Sequence, residues 1–530
     1  MFVAHRTSSS VPLMTRASLA IVASIVLCAS AADAQQRSPL FGSLVPGTHA
    51  VGFTKRVLRD SARFDLPKVD SAGRPQAADR SRRLTVHIWY PAARGAARTM
   101  TFRDYMFSHF DDSVSEATRR ADEANRRRFF GEFGTVTDSG WATLQRTALL
   151  ASRDASPASG RFPLIVGQLR TLSTTVTNEY LASHGYVVAM IDGDSPDIPD
   201  PGAGLEIALR DMEFAVPAMR KLPYVDPLRL AALGFSGSGF SQVLFAMRHP
   251  DVDAVSDLES AIFDDGVFWP LSGGWGYQLT ALRVPFLHMY SVPLSKRENR
   301  IADFEGMRYS NRHHYLVDAP GIHHWDFALE GMAASTVLGI RGANGTRLRQ
   351  AFETTNRYLL AFFNGYVKRD ASELAFLRRH PAANGAPAGL ATIRELPAVE
   401  PAPNVMAFQS LVMTRGAQTA LVGFDDARRR DPLAPLFAEA RLNQIAYRVF
   451  RNGKPADAIV IFRKIVELYP NSSNAYDSLS EVLEAAGEKA EAGAMARKGL
   501  EVLEREELPA ARRTQMKESL EGRIKRVSQG

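Results

Sequence analysis

Residues 230–242 read LAALGFSGSGFSQ, an apolar run followed by three serines, Ser236, Ser238 and Ser241, among three glycines. A strand, a turn too tight for bulky neighbours and a helix pointing its N-terminus at the turn would make one serine a nucleophile. With Ser236 at the apex, the residues two before and two after are Gly234 and Ser238, both small. With Ser238 there, they are Ser236 and Phe240, and a phenyl ring would collide with the adjacent strand or helix. Ser236 is therefore the expected nucleophile. Phe240, Val243, Leu244 and Met247 form the core face of the following helix, stopped by Pro250. Its first amides, chiefly Gly237 N–H, would face the negative charge that develops on an attacked carbonyl. No lysine follows to make this glycine-rich turn a phosphate loop.

A serine needs a base, normally histidine, with a carboxylate to fix its tautomer. In turns of this kind the chain order is serine, acid, histidine. Seven histidines follow Ser236. His323 and His324, in DAPGIHHWDF, fall on a loop after the last predicted strand, where a base belongs. His313 and His314 begin that strand at its far end, whereas His249, His288 and His380 read as structural. For the acid, the strand VPFLHMY leads into SVPLSKR, which has no carboxylate before Glu298. The preceding strand, VDAVSDLES, ends with Glu259 nearest the carboxyl rim, where ligands bind such sheets. Asp257, two residues deeper and pointing the same way by strand alternation, is the alternative.

The elements that must position these groups are legible as a rhythm. HAVGFTKRVL and RLTVHIWYPA read as paired strands with period-2 alternation. From 162 to 335, short apolar runs (FPLIVG, YVVAMID, LRLAALGF, VPFLHMY) alternate with helical segments, the pattern of a mostly parallel sheet covered by helices. Residues 97–160 turn polar and helical and look like a cap-like insertion. In it, Phe129 and Phe130 would face either the core, leaving Arg126, Arg127 and Arg128 solvated, or a lipidic substrate. Residues 380–404 are rich in Pro, Ala and Gly and read as a linker. The remainder, 405–530, reads as helical. There Gly453 and Gly487 are 34 apart, as are Ala458 and Ala492, so about 439–505 resembles tetratricopeptide helix pairs. The helix after Pro509 is expected to close that stack.

Arg6 and Arg16 precede the uncharged stretch ASLAIVASIVLCASAA, and Ala32-Asp33-Ala34 makes an A-x-A cleavage site. Residues 1–34 thus read as a signal peptide, and the mature chain as exported, periplasmic or secreted, with no transmembrane segment. The only cysteine, Cys28, lies in that leader, so no disulfide is expected. A net charge of +7, from 64 basic and 57 acidic residues in 530, is too slight to indicate a nucleic-acid partner. No HExxH or comparable spacing calls for a metal or cofactor.

The stretches RLTVHIWYPA, LRTLSTTVTNEYLASHGYVVAMID, GFSGSG, AVSDLESAIF and GIHHWDF together resemble the platelet-activating factor acetylhydrolase and dienelactone hydrolase-like group of α/β-hydrolases. The resemblance covers roughly 45–365 and implies an α/β-hydrolase domain, read here over 41–379, which the helical repeats follow. It implies the triad Ser236, Glu259 and His324, with Glu259 matching the acid of an LD step and His324 the histidine of G-x-x-H-x-x-F. Asp257 and His323 stand as alternatives. Dienelactone hydrolases proper use a cysteine nucleophile, which the mature chain lacks. The SHGxGG loop usual after the third strand is shortened here to VGQLRTL, which moves the second oxyanion amide to Leu169 or Gln168. The expected activity is cleavage of carboxylic esters, short-acyl or lipid-like, through an acyl-enzyme. A peptidase or amidase on the same triad is one alternative. Another is a decayed hydrolase that serves as a binding protein, with a protein partner on the repeats.

Overall fold

The computed structural model describes residues 38–64, 81–95, 98–110, 114–168, 173–193, 201–263, 278–298 and 303–529. The expected signal peptide and Leu169 lie outside them. The chain divides into two units, Met1–Pro397 and Ala398–Gly530.

The first unit is built on one sheet of eleven strands, ordered β11-β10-β9-β8-β7-β5-β6-β2-β1-β4-β3. Its centre is parallel: β5 (Phe162–Gln168), β6 (Val187–Gly193), β7 (Val225–Phe235), β8 (Ala254–Leu258), β9 (Phe286–Ser291) and β10 (Arg312–Val317). Successive side chains of these strands enter two different cores. Ile165, Val188, Leu233, Leu258 and Met289 share one; Leu164, Val166, Val187, Ala232 and Phe286 share the other. Strands covered on both faces must be apolar at every position, which is why they read as unbroken runs in the sequence. Helices α4 (Thr175–Ser183) and α8 (Gly345–Tyr366) bring Leu181, Phe352 and Phe363 to the first core. On the other face α5 (Pro201–Arg220) and α6 (Ser238–Arg248) bring Met212, Val216, Phe240 and Leu244.

β1 (Ala50–Phe64) and β2 (Ser81–Ala92) form the predicted antiparallel pair, with Phe53 opposite Trp89, and β2 joins β6 antiparallel. The chain steps from β5 to β6 on one side and returns to β7 on the other. The crevice of such a sheet therefore opens at the carboxyl ends of β5 and β7. This mixed sheet between helical layers is consistent with an α/β-hydrolase fold.

Two segments hold strands that the sequence did not show. The 97–160 insertion is built into the first unit. Its β3 (Thr99–Thr101) and β4 (Ala148–Arg153) extend the sheet beside β1. Its helices α1 (Phe102–Met106), α2 (Glu116–Phe130) and α3 (Asp138–Arg146) send Phe102, Tyr105, Phe130, Trp141 and Leu144 into the first core. Buried Glu179 on α4 ties the insertion down, accepting from Tyr105 Oη at 2.5 Å and from the amides of Leu150 and Ala151 in β4. Likewise the 380–404 segment is not all linker, because β11 (Ala391–Leu396) pairs antiparallel with β10 as the sheet's last strand. Six residues inside a Pro- and Ala-rich context are too few to show a period, and an edge strand needs only one apolar face. In the same unit α7 (Leu329–Ser335) and α9 (Ala371–Arg378) flank α8 along the chain.

The second unit is all helix. α10 (Val405–Arg415) and α11 (Phe424–Arg430) precede two helix pairs, α12 (Glu439–Arg451) with α13 (Pro455–Leu468) and α14 (Ser473–Ala485) with α15 (Lys489–Leu503). Glu439 and Ser473 are 34 apart, as are Pro455 and Lys489, so the pairs repeat at the sequence period. Gly453 and Gly487 close α12 and α14 at φ of 76° and 86°, where a side chain would be strained. Phe408 and Phe424 cover one end of the stack. At the other, α16 (Ala510–Ser528) packs Met516 and Leu520 on Ala496 and Leu503. No helix among the described residues is long and apolar enough to cross a membrane.

Candidate active site

β7 ends at Phe235 and α6 begins at Ser238, and between them Ser236 has φ of +56°. That left-handed backbone costs a non-glycine residue about 1–2 kcal/mol, so the surroundings must enforce it. Ser236 N–H donates to Leu258 O and Ser236 O accepts from Gly239 N–H, each at 3.0 Å. A Cβ on Gly234 would lie 2.5 Å from Gly239 Cα, and one on Gly239 would lie 2.1 Å from Ser260 Oγ. The close approach of strand and helix thus depends on Gly234 and Gly239. Position 238 accepts a serine because its side chain turns back: Oγ donates to Phe235 O at 2.8 Å and accepts from Phe235 N–H at 2.9 Å. Buried and committed to the backbone, Ser238 closes the turn, and Ser236 is left at the apex. Gly237 is exposed at the start of α6, and its N–H has no acceptor among the described residues.

Gln168, the last residue of β5, accepts from Ser241 Oγ at 2.8 Å, so its side chain is fixed on the first turn of α6. Leu169, the other expected oxyanion residue, falls outside the described residues.

The two adjacent histidines have different surroundings. Both ring nitrogens of His323 are engaged, Nδ1 by Trp325 N–H at 3.3 Å and Nε2 by Arg341 Nη1 at 2.8 Å. Arg341 also pairs with Asp326 at 2.8 Å, and His323 packs over Phe133, so this histidine caps and braces its loop. His324 stacks on Phe235, the residue before Ser236, with ring centroids 4.8 Å apart and 24° between planes. Its nitrogens make no hydrogen bond among the described residues. Burial, with His323 and Arg297 adding to it, lowers its pKa to about 4, so the imidazole is neutral and able to accept a proton near pH 7.

Glu259 follows β8 and has φ of +49°. Its carboxylate accepts from Ser291 Oγ at 2.5 Å and from Ser291 N–H at 2.7 Å. Burial pushes its pKa up to about 7 against the pull of those two bonds. The structure therefore brings Glu259 beside the turn, one residue after the Leu258 carbonyl that holds Ser236, but binds it to Ser291 rather than to His324. Asp257 does not share its direction. Both its oxygens lie 3.0 Å from His288 Nδ1, and His288 Nε2 meets Glu298 Oε2 at 3.2 Å, all fully buried. Burial opposes the charge on His288, yet the two carboxylates outweigh it and hold its pKa up to about 10.

The alternation rule failed here because the positive φ at Glu259 ends the strand and re-aims its side chain. Neither this buried Asp257–His288–Glu298 group nor Ser291 was identified from the sequence. The register that sets Asp257 opposite His288 across β8 and β9 was the missing signal. Two open clefts of about 610 Å³ each lie elsewhere on the first unit, and none of Ser236, Glu259 or His324 lines them.

No protein-family model matches the chain. No curated protein matches it either. Among solved structures, a ferulic acid esterase from Streptomyces cinnamoneus is similar to it at 21% identity and a TM-score of 0.43, over 66% of this chain and 98% of that one.

Proposed function

We propose that the chain is a serine hydrolase that cleaves carboxylic esters through an acyl-enzyme. The observation that carries this reading is Ser236 itself, held at φ +56° between a buried strand and a helix N-terminus, with the neighbouring His324 ring stacked on Phe235. Ser236 Oγ attacks the ester carbonyl while His324 takes its proton. Gly237 N–H, at the positive end of α6, receives the oxyanion, with the amide of Leu169 or Gln168 as the second donor. His324 then gives the proton to the departing alkoxide, and a water activated by the same ring releases the acid. Glu259 orients the imidazole. Catalytic hydrogen bonds of this kind often tighten only with substrate bound, and the Glu259 carboxylate, while accepting from Ser291, keeps acceptor sites for His324.

The fuller reading is an exported enzyme similar to the platelet-activating factor acetylhydrolase group, acting on short-acyl or lipid-like esters. Its repeats, whose tetratricopeptide-like reading is supported by the 34-residue spacing of the helix pairs, would bind a protein partner. A second reading, a hydrolase that has lost catalysis and kept binding, draws on the Glu259–Ser291 pairing.

Labelling folded protein with a fluorophosphonate, then mapping the modified peptide, tests the proposal. The expected adduct is on Ser236, is absent in Ser236→Ala and His324→Ala, and persists in His323→Ala. No adduct would favour the binding-protein reading. Faster turnover of aminoacyl anilides than of phenyl acetate would make the enzyme an amidase instead.

A further inference from the structure

Phe129 and Phe130 are neighbours at the end of α2 and go to different places. Phe130 is 2% exposed, packed in the core with Phe102 and Trp141. Phe129 is only half-buried and turns to Trp325, with centroids 4.9 Å apart at 81°. Phe133 meets Phe129 edge-on at 5.7 Å. Trp325, which follows His324 in the chain, lies 5.0 Å from the His324 ring and 5.9 Å from Phe235. These rings make one continuous aromatic strip from the insertion to the residues flanking Ser236 and His324, and Phe129, Phe133, Trp325 and Phe235 are all part-exposed along it. Arg341, beneath Phe133, is bound to Asp326 and His323. Partly exposed aromatics that run up to the nucleophile favour a flat apolar ligand group.

We infer that Phe129, Phe133 and Trp325 form a specificity subsite for the alcohol half of the ester, and that this half is a large, planar apolar group. The inference rests on the esterase reading, because its direction comes from the chemistry of the base. His324 must reach the leaving oxygen to protonate it, so the residue that adjoins His324, Trp325, and the ring packed on it, Phe129, lie on the side of the departing alcohol. The insertion thereby serves the reaction without covering it as a lid. Phe129 and Phe133 are binding residues contributed by a segment whose Phe102, Tyr105, Phe130 and Trp141 are structural.

The test compares kcat/KM for 2-naphthylmethyl acetate and methyl acetate, which share an acyl group and release alcohols of similar basicity. The wild type is expected to prefer the naphthyl ester, and Phe129→Ala to reduce that preference about tenfold, with Phe129→Trp retaining it. A ratio of two substrates on one preparation is insensitive to partial misfolding. An unchanged ratio in Phe129→Ala overturns the inference. So does a loss that appears instead with methyl 2-naphthoate, since the strip would then hold the acyl half. Binding of 2-naphthalenemethanol to Ser236→Ala, followed by naphthyl fluorescence, separates the two proposals. If it binds and adding Phe129→Ala weakens it about tenfold while the wild type turns over no ester, the strip stands as a binding site and the esterase reading falls. Binding that is indifferent to Phe129 overturns the strip whatever the turnover.

Discussion

Ser291→Ala should move the acidic limb of the pH–rate profile upward, because Ser291 is what holds Glu259 ionised. Its hydroxyl donates to Glu259 Oε1 at 2.5 Å, and its amide, which the substitution keeps, donates to Oε2 at 2.7 Å. Hydrogen bonds to a charged group contribute about 1.5–3 kcal/mol, and one pKa unit corresponds to about 1.4 kcal/mol. Losing the hydroxyl should therefore raise the Glu259 pKa from about 7 by roughly one to two units. The ionised fraction at pH 7 then falls from about a half to about a tenth or a hundredth, and kcat/KM at that pH falls about 5- to 50-fold, recovering at higher pH. Initial rates of phenyl acetate hydrolysis from pH 5 to 9.5, corrected for spontaneous hydrolysis, would measure it. In Glu259→Gln the limb at 7 should vanish, and the remaining limb should move toward the His324 value of about 4. A limb that stays in place in both variants would refute Glu259 as the orienting acid.

The same group links stability to pH. Its folded pKa of about 7 lies above the ordinary 4.5, so between those values the folded chain holds a proton that the unfolded chain releases. The stabilisation is complete below pH 4.5 and lost as pH rises through 7, on the order of 3 kcal/mol in all. Ser291→Ala should deepen that loss and carry it to higher pH, which urea midpoints at pH 5, 7 and 9 would show.

Two further outcomes probe the turn. Ser238→Ala removes both bonds to Phe235 and should cost about 1–2 kcal/mol in urea denaturation while leaving fluorophosphonate labelling at Ser236. Labelling lost from this variant in its folded state would refute Ser236 as the nucleophile. Gly239→Ala drives a methyl group against Ser260 and should destabilise by about 1–3 kcal/mol, whereas a Cβ at Gly237 meets nothing within 4 Å and should cost less than about 1 kcal/mol. Equal costs would show that the strand–helix approach is not what constrains the turn.

Much of this was legible because it is local. Apolar runs in 162–335 mark strands buried on both faces, and Phe240, Val243 and Leu244 mark the core side of α6, where the structure buries them. Ser236 could be chosen over Ser238 by the bulk of Phe240 alone. The glycine in contact with Gly234 proved to be Gly239, one residue beyond the usual position, since Ser238 folds its hydroxyl onto the strand. Strands within the insertion and the linker went unseen where three to six residues join an edge: β3, β4 and β11 are too short to show a period of their own and exist because a partner strand was available.

The sequence by itself determined the strand–turn–helix around Ser236, the order of serine, acid and histidine candidates, and the 34-residue helix spacing, all of which follow from sterics and periodicity among near neighbours. Tertiary structure alone decided what each candidate touches. Asp257 and Glu259, two residues apart, are separated by one positive φ and by the register of β8 on β9, which gives Asp257 to His288 and Glu259 to Ser291. His323 and His324 differ only because Arg341 reaches one and Phe235 the other. Those partners are distant in sequence, and a side chain's environment is set by whatever the fold brings within a few ångströms of it.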